Sequence, residues 1–339
     1  MLPSRLDARW NTRSLGKHTN QAVCTKPGSR HLPITTASLN STQAQLFGST
    51  FEAIRVECGA GPLYVVQGGA GPPLLLLHGY PQTGVMWHRL ASALASRYRL
   101  IIPDLRGYGD SPKPDSQPNH ASYAKRVMAL DVAQMMRILG HERFYVAGHD
   151  RGGRVTHRLA LDHPDRLVAA CVMDIVPTLH AFETTDKALA SAYYHWFFLI
   201  QPGGLPEQLI GQNPKFYLDH KFAGGCAPGS SLAPAALAEY LRCFRNPDTI
   251  RGSCEDYRAA ASIDLEHDRA DRTRKIETPL LVLWGEQAFV HRHYDVLDVW
   301  ADYATTLQGH AVPSGHYLPE EAPEAVIDAL TRFFSGFSL

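Results

Sequence analysis

The fold turns on residues 143–154, Arg143-Phe144-Tyr145-Val146-Ala147-Gly148-His149-Asp150-Arg151-Gly152-Gly153-Arg154. The apolar run from Arg143 to Ala147 reads as a buried strand, and Gly153 to His163 reads as a helix. Between them, Gly148 and Gly152 flank a single acid, Asp150. Glycine tolerates sharp turns and close backbone approach. Such a turn holds its central side chain above the strand ends, where open α/β sheets bind their ligands. In isolation the same five residues would also suit a plain turn ending in a helix-capping aspartate. The neighbouring segments therefore carry the decision.

Outward from this turn the chain alternates. Leu63–Val66, Pro73–His78, Arg99–Pro103, Leu167–Asp174 and Pro279–Trp284 read as strands. Trp87–Arg97 and Ser122–Leu139 read as helices, the second closed by Gly140. A last helix has Pro323 in its first turn and an apolar stripe of Val326, Ile327, Leu330 and Phe333. Continuous apolar strands separated by helices predict an α/β protein with a mostly parallel, doubly wound sheet. The pattern breaks at residues 177–272, which are rich in aromatics and contain no buried-strand run, so a helical cap inserted into the core is expected there. The core is then residues 46–176 and 273–339. Residues 1–45 carry six basic residues and one acid, Asp7, with no periodicity. They read as a disordered extension, a misplaced start or a targeting segment.

Composition narrows the function classes. The 33 Lys+Arg balance the 33 Asp+Glu, so no broad positive field favours nucleic acid or an anionic membrane. No apolar run approaches the roughly 20 residues of a membrane span. The six cysteines show no CxxC spacing, and a chain this long needs no disulfide staples, which points to a reducing cytoplasm. No His/Cys/Asp cluster has metal-ligand spacing, so neither a metal nor another cofactor is expected.

The turn at 148–152 has the spacing of the nucleophile elbow, G-x-S-x-G, with Asp150 in place of serine. His78-Gly79-Tyr80-Pro81 follows the Leu74–Leu77 strand, where an α/β-hydrolase fold places one oxyanion-hole amide. That amide is Tyr80, and the second belongs to Arg151, the residue after the nucleophile. Ser314-Gly315-His316 precedes the last helix, where such enzymes carry the catalytic histidine. Two acids are placed to orient it, Asp174 at the end of one strand and Glu286 after another; Asp174 is the preferred candidate.

With these pieces assembled, residues 60–336 resemble the fluoroacetate/haloacetate dehalogenase family of the α/β-hydrolase superfamily. The stretches that carry the resemblance are His78–Thr83, His149–Arg154, Met173-Asp174-Ile175, Tyr194-His195-Trp196, Cys254–Ala259 and Ser314-Gly315-His316. The resemblance implies Asp150 as nucleophile, His316 as base and Asp174 as its orienting acid. It implies Arg151 and Arg154 as carboxylate ligands, and His195, Trp196 and Tyr257 as a halide pocket. It also implies a homodimer. Tyr80 stands where phenylalanine is expected and Gly153 where alanine is, and the Tyr80 hydroxyl is expected near the site.

These residue types suit that chemistry. A carboxylate is ionised at neutral pH and needs no base to attack saturated carbon. The resulting ester then needs an activated water, which His316 can supply, and an oxyanion hole. Arg151 and Arg154 lie i and i+3 on the elbow helix and can both reach one small acid. His195, Trp196 and Tyr257 each offer an N–H or O–H to a departing halide. The expected substrate is thus a short 2-haloacid such as haloacetate. An epoxide hydrolase shares Asp nucleophile and base, with Tyr257 and either Tyr193 or Tyr194 as ring-opening donors, but has no use for Arg151. A non-catalytic binding protein on the same fold would not require nucleophile, base and acid together.

Overall fold

The computed structural model describes residues 33–59 and 61–339; the part of the expected extension in residues 1–32 lies outside them. Its centre is one nine-stranded sheet. The strands are β1 (Ile34–Ala37), β2 (Phe51–Cys58), β3 (Gly61–Gly68), β4 (Pro73–Leu77), β5 (Arg99–Pro103), β6 (Phe144–His149), β7 (Leu167–Met173), β8 (Leu280–Gly285) and β9 (Leu307–Val312). Their order is β1-β2-β3-β5-β4-β6-β7-β8-β9. β1, β2, β3 and β5 pair antiparallel in succession, and every pair from β5 to β9 is parallel. The all-apolar sequences of β4 and β7 follow from this, because the central strands are covered on both faces. Leu74 to Leu77 are wholly buried.

The strand order places the site. After β4 the chain moves outward to β5, then returns to the other side of β4 to form β6. Connections that diverge in this way leave a crevice at the C-terminal strand ends. The two strands flanking it, β4 and β6, lead directly into Gly79-Tyr80 and Asp150.

The elbow between β6 and the helix Arg151–Asp162 is tight enough to exclude side chains. Asp150 adopts φ 45°, a region an L-residue occupies only under constraint. A Cβ on Gly148 would lie 2.3 Å from the Gly152 carbonyl oxygen, and one on Gly152 would lie 2.4 Å from that of Leu77. The two glycines are thus required by backbone packing at this turn.

Between β7 and β8 the chain forms eight α-helices, from Thr178–Glu183 to Ile263–Ala270. Several expectations need correction. Residues 33–45 of the expected disordered extension are instead structured, because β1 pairs with β2 and the helix Ser41–Phe47 docks on the protein. Asn40 and Gln43 both donate to Glu239 Oε1 at 3.0 Å, and Phe47 is buried. With few apolar residues here, polar docking was not visible as periodicity. The helix expected from Ser122 begins at Lys125, after a 3₁₀ stretch at Pro118–Tyr123. The elbow helix begins at Arg151 rather than Gly153. β1, β2 and β9 were not anticipated; β9 is an edge strand, largely half-exposed and interrupted by Gly309.

A prediction follows from the elbow. Gly148→Ala costs about 2–3 kcal/mol or more by overpacking. Gly211→Ala, in the helix Leu205–Gln212 with open space around it, stays within about 1 kcal/mol of the parent. Denaturant unfolding of both variants measures the contrast.

Candidate active site

Asp150 is buried at the elbow, and the backbone N–H of Tyr80 donates to its Oδ2 at 2.9 Å. Tyr80 therefore meets the acid through its amide. Its hydroxyl, expected near the site, instead donates to the Tyr217 hydroxyl at 2.9 Å and does not line the cavity. The amide of Arg151 opens the elbow helix, where leading N–H groups have no acceptor within the helix. Of the two amides expected to stabilise an oxyanion, that of Tyr80 meets the Asp150 carboxylate, and that of Arg151 makes no hydrogen bond to it.

His316 lies on the loop between β9 and the helix Leu318–Glu321. Its Nδ1 meets Asp174 Oδ2 at 2.6 Å, and Asp174 Oδ1 accepts from the Gly285 N–H at 3.0 Å. Asp174 sits at φ 52°, immediately after β7, which aims its side chain at this loop. The other candidate acid, Glu286, is exposed and makes no contact with His316.

A cavity of about 150 Å³ opens over Asp150. That is well below the roughly 300–1,000 Å³ of drug-sized pockets, so it suits a ligand of few heavy atoms. Its walls include Asp150, Arg154, Asp174, His195, Trp196 and His316. Tyr257 stands behind this wall, with ring centroids 5.7 Å from His195 and 6.4 Å from Trp196. The Tyr257 hydroxyl and His195 Nδ1 are buried without a hydrogen-bond partner among the described residues. Burial, then the charge of Asp150, pushes the Tyr257 hydroxyl well above its usual pKa, so it remains a donor. Burial likewise pushes His195 well below the usual imidazole range, which leaves the ring neutral with one N–H.

The two arginines differ. Arg151 faces Asp256: Nε donates to Oδ2 at 2.7 Å and Nη2 to Oδ1 at 2.9 Å. Lys125 and Tyr108 also bind Asp256. Arg151 does not line the cavity, although its Nη1 is buried without a partner. Arg154 does line it. Its Nη1 donates to the Val176 carbonyl at 3.1 Å and to Thr178 Oγ1 at 2.9 Å, and its guanidinium stacks 4.7 Å from the Trp196 ring. Its Nε is buried and has no hydrogen-bond partner among the described residues, and the anion that acts on its charge is Asp150, with which it forms no hydrogen-bonded ion pair. Burying a guanidinium with its hydrogen bonds incompletely satisfied is costly. The cost shows in its acidity: burial, then Arg151, lowers the Arg154 pKa.

Asp150 is held in the opposite sense. Burial alone would raise its pKa, but His316, His149 and the two arginines outweigh it and keep the carboxyl below its usual value. The acid therefore stays ionised in a nearly dry site.

Some residues of this site were not anticipated. Lys221 and Arg292 line the cavity, and so does Tyr193, which was given no role in the dehalogenase reading. Lys221 lies one helical turn from Tyr217, so a cation sharing the inner face of an aromatic helix was the available signal. Burial lowers its pKa to about 8. Asp256 stands directly before Tyr257 in a stretch already singled out, but its partner Arg151 is 105 residues away.

The fold and this constellation define an α/β hydrolase with an acid at its elbow. Residues 72–323 match the α/β hydrolase fold family. Over 286 residues the chain is 43% identical to a fluoroacetate dehalogenase from a Burkholderia species, covering 84% of this chain and 94% of that one. It is 33% identical over 285 residues to a soluble epoxide hydrolase from Corynebacterium sp. (strain C12), covering 80% and 93%. A solved structure from Nostoc sp PCC 7120, described as an α/β hydrolase, superposes with TM-score 0.83 at 53% identity over 84% of this chain and 98% of that one. The chain belongs to the haloacetate dehalogenase family of the α/β-hydrolase superfamily.

The unpaired guanidinium generates a prediction independent of turnover. Acetate binds the folded protein and raises its unfolding midpoint, contributing about 2.7 kcal/mol at a hundredfold over its Kd. Neutral acetamide at the same concentration does not, and Arg154→Leu abolishes the acetate effect. Differential scanning fluorimetry reads all three.

Proposed function

We propose that this chain hydrolyses the carbon–halogen bond of short 2-haloacids such as haloacetate, giving the 2-hydroxy acid and halide. The observation that carries the reading is a cavity in which an ionised acid, Asp150, shares the wall with Arg154, a buried guanidinium that forms no hydrogen-bonded ion pair with a carboxylate among the described residues and keeps its Nε free of a partner there. An anionic substrate supplies that partner and is oriented by it. Charge-assisted bonds of this kind are about twice as strong as neutral ones. Arg151, held by Asp256 outside the cavity wall, adds positive charge near Asp150 without contacting the ligand directly.

In the first step Asp150 Oδ1, the oxygen not held by Tyr80, attacks the halogen-bearing carbon. The carbon–halogen bond breaks, its electron pair leaves with the halide, and an ester joins Asp150 to the acid. His195 and Trp196, on the cavity wall, donate to the departing halide, with Tyr257 packed directly behind them. In the second step His316 takes a proton from water, whose oxygen attacks the Asp150 carboxyl carbon. Negative charge gathers on Oδ2, which already accepts from the Tyr80 amide, and the Arg151 amide would be the second donor; one such donor is worth about 3 kcal/mol. The intermediate collapses, the ester bond breaks, and the hydroxy acid leaves with the proton from His316. Asp150 now carries one oxygen from water. Asp174 holds the imidazole in the required tautomer.

An epoxide hydrolase reading draws support from Tyr193, which lines the cavity, together with the unpartnered Tyr257 hydroxyl. An epoxide leaves Arg154 without an anion, so the haloacid reading is preferred.

A single turnover of chloroacetate in heavy-oxygen water tests the route. The label is expected in the Asp150 carboxyl, and label appearing only in glycolate contradicts the ester. Asp174→Asn should lower turnover by about 10⁴-fold, as loss of the orienting acid does in other triads. Glu286→Gln should remain near the parent; a reversed pattern in steady-state kinetics would reassign the acid.

A further inference from the structure

The histidine that must activate water sits on a loop, and its contact with Asp174 fixes only the ring. The backbone on either side is held by a side chain that the reaction itself does not use. Glu321 Oε2 accepts from the Gly315 N–H at 3.1 Å, and Oε1 accepts from the Tyr317 N–H at 2.9 Å. The amides flanking His316 thus share one carboxylate. Glu321 Oε2 also accepts from the Ala227 N–H at 2.7 Å, and the His316 N–H donates to the Gly225 carbonyl at 2.7 Å. Both Ala227 and Gly225 belong to the segment inserted between β7 and β8.

The packing at this seam leaves no slack. A Cβ on Gly315 would lie 2.4 Å from the Ala227 nitrogen, and one on Gly225 would lie 2.7 Å from the Tyr317 ring. Gly225 and Cys226 line the same cavity wall as His316. The loop carrying the base is therefore fastened to the cap at the point where the cap borders the reacting atoms.

We propose that Glu321 is a positioning residue for the hydrolytic half of the reaction, clamping His316 by its two flanking amides and tying that loop to the cap at Ala227. The proposal rests on the Asp150-ester reading above. Glu321 does not line the cavity and touches no reacting atom. Its bonds reach neither the elbow nor Tyr80, so halide displacement by Asp150 does not depend on it. Water activation does, because a shift of about 1 Å in a catalytic group costs on the order of a hundredfold. The signature is a split between the two half-reactions, which a general loss of structure would not produce.

The test compares rapid-quench halide release with steady-state turnover of chloroacetate. Glu321→Gln keeps the shape but replaces one acceptor oxygen with a donor, so it cannot accept from both flanking amides. It should release halide in the first turnover within about threefold of the parent. Its steady-state turnover should fall by at least about tenfold, with a carboxymethyl ester accumulating on Asp150 by peptide mass. Glu321→Asp, which keeps the charge but not the reach, should show the same split. Equal slowing of both phases, unchanged turnover in Glu321→Gln, or full recovery in Glu321→Asp overturns the proposal. Absence of halide release from the parent enzyme is a different result: it overturns the dehalogenase reading itself, and this proposal with it.

Discussion

The site depends on the charge balance around one carboxylate held away from water. Asp150 is 6% exposed and sits at a turn that its neighbours force into φ 45°. An isolated buried carboxylate would take up a proton and cease to be a nucleophile. The imidazoles and guanidiniums around it prevent that. The same arrangement leaves Arg154 with a buried Nε that has no hydrogen-bond partner among the described residues, and under the proposed function an entering anion would meet it. Substrate charge and nucleophile charge are thus coupled through the same short stretch of chain.

The core and the inserted helices divide the work. The sheet supplies Asp150, Asp174, His316 and the Tyr80 amide from strand ends and the loops that follow them, which are rigidly placed. The insertion supplies His195, Trp196 and Tyr257, and also Asp256, which fixes Arg151 from behind. Lys125 and Tyr108, from outside the insertion, hold Asp256 in turn. The Asp256 carboxyl is correspondingly held well below the usual carboxylate range: burial opposes ionisation, but Arg151 and Lys125 outweigh it. Removing the insertion would therefore expose the elbow and also unseat one of its two arginines.

What could be read from the sequence followed the locality of each constraint. The elbow was legible because its two glycines recur at a fixed spacing about the acid, although only Gly148 is demanded by a neighbour within five residues and Gly152 is demanded by the Leu77 carbonyl of another strand. The parallel core was legible because strands covered on both faces must be apolar. His316 and Asp174 could be placed by chain order, but their 2.6 Å contact spans 142 residues and only the fold shows it. Where the constraint was distant and polar, the sequence was silent. The docking of Gln43 on Glu239 across 196 residues hid the helix at 41–47, and the Arg151–Asp256 pair hid the difference between the two arginines. β9 was lost because a half-exposed edge strand broken by glycine has no apolar run to find.

The most direct measurement sets three substrates of similar size beside one another: chloroacetate, chloroacetamide and a small epoxide. Chloride is followed with an ion-selective electrode and diol by chromatography. The account predicts rapid chloride release from chloroacetate, little from the neutral amide and no appreciable diol. Equal chloride release from acid and amide would show that the Arg154 charge does not select the substrate, and diol formation with no chloride from any of them would contradict the account at its root.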